Sequence, residues 1–322
     1  MASLPKAAWV TLVTRASYLP GAVLLAYSIQ KHTSKYPLII LTTPSFPEQL
    51  VGPLQQECNL TNALHFSILP LSPPPHNLPS KLIASRFEDT WTKLRVFELY
   101  KYGCETIVFL DADMLIRANM DEVFEMQLPG KDYIAANHAC VCNLDHNSWA
   151  PGDWKRENCA YTGLSPESSA TKVPSSRVTN ATRTHTILNS GMFFFTPYEQ
   201  LWKDIQVFLA KDARVKTFLF PDQDFLAAFF NDRWRSLSWR YNALKTMRYW
   251  HPELWRDEQV SNLHYIVDKP WNKRVGSDGL AGHLGKDGVT HTWWWEECEN
   301  WCRERRDDNQ TEILSAMRMN MA

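Results

Sequence analysis

Short runs of β-branched and aromatic residues alternate with helical patterns through the first third of the chain, and this rhythm constrains the fold more than any other feature. Ala8 to Thr14 reads as a strand, Pro20 to His32 as a helix opening on a proline, Leu38 to Thr43 as a buried strand and Pro47 to Cys58 as a second helix. Leu64 to Leu69 gives a third strand, after which Pro70, Pro73, Pro74, Pro75 and Pro79 forbid both a ladder and a helix. Thr90 to Tyr102 is again helical, and Thr106 to Leu110 is a short apolar strand. Strands that alternate with helices in this way build an α/β fold, a mostly parallel sheet with helices on both faces.

A further strand is expected at Tyr133 to Ala136, and then the pattern stops. From His138 to Thr186 the chain is rich in Asn, Ser, Thr and Cys with little periodicity, which is long for a plain connection and suggests a lid, a binding loop or a mobile insert. Regular structure resumes at Ile187 to Phe195, followed by helices near Tyr198 to Lys211 and Asp222 to Phe230. Nine of the 14 Trp follow Phe230, and core packing is the first reading of such density, with a sugar-stacking platform as the second.

The 322 residues carry 34 Lys+Arg against 35 Asp+Glu, so no general attraction to nucleic acid or to an anionic membrane is expected. MASLPKAAWV is not a leader pattern, and the apolar stretch Gly21 to Ile29 is too short to cross a bilayer. Seven Cys is an odd count in a chain of this size, which fits reduced thiols in a cytoplasmic protein. The sequons at Asn59, Asn180 and Asn309 are then expected to be unused.

The most informative segment is Ile107-Val-Phe-Leu-Asp111-Ala112-Asp113, a buried strand that ends in two carboxylates. Open α/β sheets bind ligands at this carboxyl edge, and two close acids repel unless a cation sits between them, which suits Mg²⁺ or Mn²⁺ with room for diphosphate oxygens. Asp-x-Asp alone is weak, and a solvated turn or helix cap produces it equally. Other segments add to it. Arg86 and Lys93 place cations shortly before the acidic strand, and Asn189-Ser190-Gly191 stands at the mouth of the apolar run Met192 to Phe195. Asp222-Gln223 follows, and far downstream come His264 and Lys269-Pro270-Trp271.

Thr11-Leu12-Val13-Thr14 with Tyr18, Thr92-Lys93-Leu94, Asp111-Ala-Asp113, Asn189-Ser-Gly191, Asp222-Gln223, Tyr241-Asn242 and His264 with Lys269-Pro-Trp271 resemble, in this order, the family 8 retaining glycosyltransferases, which include glycogenins and galactinol synthases. The resemblance runs from about Trp9 to Asn272. Tyr36-Pro-Leu38, Cys140-Val-Cys142 with Cys159, Gln223-Asp-Phe-Leu226, Tyr241 to Met247 and His251-Pro-Glu253 are similar to the galactinol synthase branch.

The resemblance implies a single Rossmann-like domain of the glycosyltransferase A type over residues 1–275; the Gly/Trp-rich extension 276–322 lies outside it and is expected to pack on the domain, with a lid over the site as the second reading. It also implies Mn²⁺ (or Mg²⁺), UDP-galactose or UDP-glucose as donor, a small polyhydroxylated acceptor such as myo-inositol, and a possible homodimer. Carried over by residue, Asp111, Asp113 and His264 hold the metal. Leu12, Thr14 and Tyr18 line the uridine pocket, with Ala112 and Ser190 also on the donor. Lys269 meets the diphosphate, Arg86 and Lys93 the donor sugar or phosphate, and Asn189, Asp222 and Gln223 surround the reacting carbon. Acceptor contacts are expected from the 138–186 loop and the Trp-rich tail. The rival readings are a glycogenin-like primer that glycosylates Tyr249 and a non-catalytic nucleotide-sugar-binding protein.

Departures from the family pattern fall at Val267, where relatives often carry Gly, and at Val13 and Arg15 on the uridine strand. Cys140, Cys142 and Cys159, with His138 and His146 nearby, have donor types suited to zinc, but their spacing is not that of a standard finger and free thiols are the expected state. Cys298 and Cys302 are four apart on an expected helix and read as simple thiols on one face.

Overall fold

The computed structural model describes residues 3–71, 85–165 and 183–322, the side chains of 85–88 excepted. The expected βαβ rhythm is present: β1 (Ala7–Val13), α1 (Leu19–Lys31), β2 (Leu38–Thr42), α2 (Glu48–Leu60) and β3 (Ala63–Ser67) follow in order. A segment of 3-10 turns (Ser85–Tyr102) leads to β4 (Thr106–Leu110), and the short β5 (Met114–Ile116) follows the acidic turn. Next come β6 (Ile134–His138), β7 (Leu188–Phe195), α3 (Glu199–Lys211), α4 (Pro221–Phe229) and β8 (Trp234–Ser236). Most of the proline-rich loop lies outside the described residues.

Among the described residues the main sheet has seven strands in the order β3-β2-β1-β4-β7-β6-β8. All pairings are parallel except those of β7, which runs antiparallel to both β4 and β6. The fold is therefore the mostly parallel α/β sheet expected, with one reversed strand inserted. That reversal matters for the site. It brings the start of β7, with Asn189 and Ser190, beside the end of β4, and the Asp111 amide donates to the Gly191 carbonyl at 2.8 Å. The β6–β7 register shifts between Ala136 and Asn137, an irregularity of the kind that re-aims side chains near binding sites.

A second, three-stranded sheet was not legible in advance. It joins β5 to β9 (Ala243–Leu244) and β10 (Asn262–His264), with β10 in the middle. These strands are two or three residues long, too short for a period-two pattern, and their pairing rather than their sequence defines them.

Two apolar layers flank the main sheet. One packs α1, α2 and the C-terminal helices α6 (Gly288–Asp307) and α7 (Thr311–Met319) on one face, and the other gathers α3, α4 and the 3-10 segment on the opposite face. Between Trp250 and α6 only short turns and β10 intervene, α5 (Met247–Trp250) being a single turn. Trp234, Trp271, Trp294 and Trp301 are fully buried, so the packing reading of these tryptophans holds. Among the described residues no helix is long and apolar enough to cross a membrane.

Candidate active site

β4 delivers Asp111 and Asp113 to the carboxyl edge of the sheet, and α1 packs closely beneath their turn. At Gly21 a Cβ would lie 2.2 Å from the Ala112 carbonyl oxygen and 2.7 Å from the Trp271 ring, so only a glycine admits this approach. β10 brings in His264 from the second sheet. Its Nε2 lies 3.3 Å from Asp113 Oδ1 and 3.9 Å from Asp111 Oδ2.

The opposite ring nitrogen fixes the tautomer. Asn242 Oδ1 accepts from His264 Nδ1 at 2.9 Å, while Asn242 Nδ2 donates to Asn189 Oδ1 at 2.8 Å. Nδ1 is thus directed away at Asn242, and Nε2 is the ring atom that faces the two carboxylates. Gly191 makes room for the ring, since a Cβ there would sit 2.4 Å from His264 Cε1. Two carboxylates and a correctly oriented imidazole fit a hard or borderline divalent cation, and their ligand atoms lie within 4.8 Å of one another.

Two buried lysines brace this cluster. Lys269 pairs with Asp113 Oδ2 and also donates to the Tyr265 carbonyl at 2.7 Å. Lys93 reaches Asp111 Oδ1 at 2.8 Å, Asp222 Oδ2 at 2.5 Å and the Ser190 carbonyl at 3.2 Å. Ser190 Oγ donates to Asp222 Oδ2 at 2.8 Å, and Asn189 Nδ2 donates to Gln223 Oε1 at 3.3 Å. Burial pushes both acidic-turn carboxyls toward the neutral form. At Asp113 the Lys269 ammonium and His264 outweigh burial and hold it well below the usual carboxylate range. At Asp111 burial, with the charge of Asp113 added, prevails over Lys93 and leaves it raised. A divalent cation between the two favours ionisation of both.

A cavity of about 460 Å³ opens over this cluster. Leu12, Thr14, Tyr18, Lys93, Asp111, Ala112, Asp113, Asn189, Ser190, Asp222, Gln223, His264 and Lys269 all line it, so residues spread over most of the chain meet in one place. Arg86 has its side chain outside the described residues. Trp271 joins the ends of the motif set, donating from Nε1 to the Ser17 carbonyl at 2.8 Å and meeting Tyr18 edge-on at 6.0 Å.

The far wall was only broadly foreseen. Asn143, Asp145, Asn147, Trp149 and Trp154 come from the long loop, and His283 comes from the tail. Trp154 stacks on Phe220 at 6.0 Å with Trp149 edge-on to both, which makes an aromatic corner beside amide and carboxylate groups. Of the tryptophans facing the cavity, Trp149 and Trp154 come from the loop and Trp250 from α5, and none comes from the 276–322 tail. Asn242 stood in the sequence only as part of the Tyr241-Asn242 motif, with no role assigned, and Asp89 was missed. Asp89 accepts from Arg15 Nε at 2.6 Å and from Thr14 Oγ1 at 3.3 Å, which accounts for the unusual Arg15.

Val267 lines the cavity in a left-handed backbone conformation, φ 64°. A β-branched residue is strained there, at a cost of about 1–2 kcal/mol, and glycine is not. Val267→Gly is expected to stabilise the fold by about 1 kcal/mol after glycine's larger unfolded-state entropy is subtracted. A thermal melt checks this, and a lower melting temperature would contradict the strain.

The model for glycosyl transferase family 8 matches residues 9–274. Galactinol synthase 6 of Arabidopsis thaliana is 28% identical over 302 residues, covering 90% of this chain and 80% of the relative. Galactinol synthase 1 of Solanum lycopersicum is 28% identical over 297 residues, covering 89% and 80%. Among solved structures, the galactosyltransferase LgtC in complex with donor and acceptor sugar analogs superposes with a TM-score of 0.53 at 15% identity, covering 89% of this chain and 94% of that one. The glycosyltransferase GlyE of Streptococcus pneumoniae TIGR4 gives 0.56 at 16% identity, and the chain spans 64% of its length.

Proposed function

The chain belongs to glycosyl transferase family 8, and from that premise we propose that it is a retaining hexosyltransferase moving galactose or glucose from a UDP-sugar to a small polyol, with myo-inositol as the first acceptor to test. The observation that carries this reading is the convergence of Asp111, Asp113 and His264 with Lys269, Asp222 and Gln223 around one cavity. Similarity to galactinol synthases along most of the chain supports the polyol acceptor.

In this reading the uracil lies against Leu12, Thr14 and Tyr18, and the diphosphate lies beside Lys269. Asp111, Asp113 and His264 would hold Mn²⁺ or Mg²⁺, whose chemistry is to neutralise charge on a departing diphosphate. The bond between the anomeric carbon and the diphosphate oxygen breaks, and its electron pair stays with UDP. The acceptor oxygen bonds to that carbon, and its proton passes to the departing phosphate oxygen on the same face. Lys93 acts as a positioning residue, since its ammonium already bridges Asp111 and Asp222.

Same-face attack is favoured over a covalent intermediate on Asp222. Asp222 Oδ2 already accepts from Lys93 and Ser190, which lowers its nucleophilicity and suits it to holding sugar hydroxyls. The acceptor would sit against Asn143, Asn147 and the Trp149–Trp154 corner, whose amides and ring faces match a ring of hydroxyls and C–H groups.

The self-glucosylating alternative meets an obstacle at Tyr249. Its hydroxyl is buried, and the residue is not among those lining the cavity. UDP release measured with Mn²⁺ across a donor panel, with and without polyols, tests the proposal. Release from UDP-galactose or UDP-glucose stimulated by a polyol is the expected result. Release indifferent to every polyol, accompanied by stepwise hexose additions to the protein's own mass, would replace it with the self-glycosylating reading.

A further inference from the structure

Outside the catalytic centre, the chain gathers four metal-ligating side chains that the reaction does not use. Cys140 and Cys142 stand two apart just beyond β6, Cys159 follows the turn Arg156–Asn158, and His251 closes α5. His251 Nε2 lies 3.1 Å from Cys142 Sγ, 3.4 Å from Cys140 Sγ and 3.5 Å from Cys159 Sγ, and the Cys140 and Cys159 sulfurs are 3.9 Å apart. All four residues are buried and none of the cysteines is in a disulfide.

These distances have the size of tetrahedron edges. Bonds of about 2.3 Å to sulfur and about 2.0–2.1 Å to nitrogen put the ligand atoms of a tetrahedral zinc site roughly 3.6–3.8 Å apart. We propose that Cys140, Cys142, Cys159 and His251 form a structural Zn²⁺ site of the Cys₃His type, separate from the Asp111–Asp113–His264 centre.

Three features support it. The ligand types are soft thiolates with one imidazole, a set that selects zinc over the hard cations suited to the acidic turn. Four protein ligands close the coordination shell and leave no position for substrate, which is the mark of a structural rather than a catalytic site. The other imidazole nitrogen, Nδ1, faces Glu253 Oε1 at 3.6 Å, and Arg156 holds that carboxylate at 2.5 Å, so a carboxylate–histidine arrangement stands behind the ligand.

The sequence hid the fourth ligand. His138 and His146 lie nearest along the chain, but His138 Nε2 bonds Ser236 Oγ at 2.7 Å, and it is His251, some ninety residues beyond Cys159, that completes the cluster. The site joins the loop after β6 to the turn that follows α5. The same loop carries Asn143, Asp145, Asn147, Trp149 and Trp154, and Cys140 and Trp250 themselves border the cavity. A metal here pins the far wall of the cavity against the sheet. The metal site stands on its own geometry and does not depend on which sugar or acceptor the enzyme uses.

Metal content of the full-length protein tests it without reference to activity. After dialysis against EDTA, elemental analysis is expected to find about one zinc per chain, released on titration of the thiols with a mercurial. Cobalt exchanged into the protein should give intense thiolate charge-transfer bands and tetrahedral d–d absorption. Cys142→Ser and His251→Ala are expected to lose the metal, whereas His251→Cys, Cys298→Ser and Asp113→Asn retain it. Substoichiometric zinc with freely titrating thiols, a Cys140–Cys159 disulfide, or zinc unaffected by Cys142→Ser would each overturn the proposal. If the Cys142 variant does not fold, the zinc ratio and cobalt spectrum of the unaltered protein decide the matter.

Discussion

Asp113→Asn is expected to lower the rate of UDP release by about three orders of magnitude, with the fold retained by circular dichroism. The carboxylate sits within 3.3 Å of His264 Nε2 on one oxygen and pairs with Lys269 on the other. Removing its charge weakens the hold on a divalent cation and, in the same step, frees Lys269 from its partner. Both changes act where negative charge grows on the leaving diphosphate, so the loss appears in kcat as well as in donor affinity. A rate within tenfold of the unaltered enzyme would mean that Asp113 carries no leaving-group stabilisation, and the metal centre would have to be sought elsewhere.

The second large effect lies in stability. Glu57 on α2 is fully buried and accepts from Arg305 Nε and Nη2, both at 2.8 Å, and from Trp301 Nε1 at 3.0 Å. Arg305 is itself buried on α6, so this carboxylate is one buried fastening between α2 and the C-terminal helix α6. Glu57→Ala leaves the buried guanidinium without its hydrogen-bonded partner, with only the exposed Glu304 and Asp308 carboxylates at 3.8 and 3.9 Å, and a loss of about 3 kcal/mol is expected in chemical denaturation. Pairing Glu57→Met with Arg305→Met should recover most of it, because the pair's own desolvation is then removed as well. A loss below about 1 kcal/mol for the single change would show that water reaches Arg305 and that the tail is held by its other contacts, among them Tyr27 to Glu304 and Lys31 to Glu297.

The tail's attachment reaches the Lys269-Pro-Trp271 segment of the candidate site. Trp295 Nε1 donates to the Pro270 carbonyl at 3.0 Å, and Trp294 packs against Trp271 at 5.6 Å. Trp271 in turn holds Ser17, just beyond β1. The Lys269-Pro-Trp segment thus takes its position from α6 on one side and from the N-terminal strand on the other.

What could be read from the chain divides along physical lines. β1 to β4, α1 and α2 were legible within a residue or two, because long apolar runs and helical periodicity are local signals, whereas the helix expected at Thr90 to Tyr102 is a run of 3-10 turns that begins at Ser85. Asp111, Asp113, Asn189, Asp222, Gln223 and His264 were legible as a set through their order, although no single motif among them is specific. The antiparallel insertion of β7 was not, since a buried strand is apolar on both faces whichever way it runs. The roles of Asn242 and Asp89 depend on side-chain partners 22 and 74 residues away, and no local pattern encodes such pairs. His251 was missed as a zinc ligand for the same reason. Val267 is the converse case. The sequence marked it as a departure, and a positive φ gives the physical content of that mark.

The most direct test of the central claim is a proton NMR spectrum of the product formed from UDP-galactose and myo-inositol in the presence of Mn²⁺. An α-configured hexosyl-polyol is expected, since the donor's anomeric configuration is kept when the incoming oxygen bonds on the face the phosphate leaves. A β-linked product, or free hexose with no glycoside from any UDP-hexose and polyol pair, would contradict it.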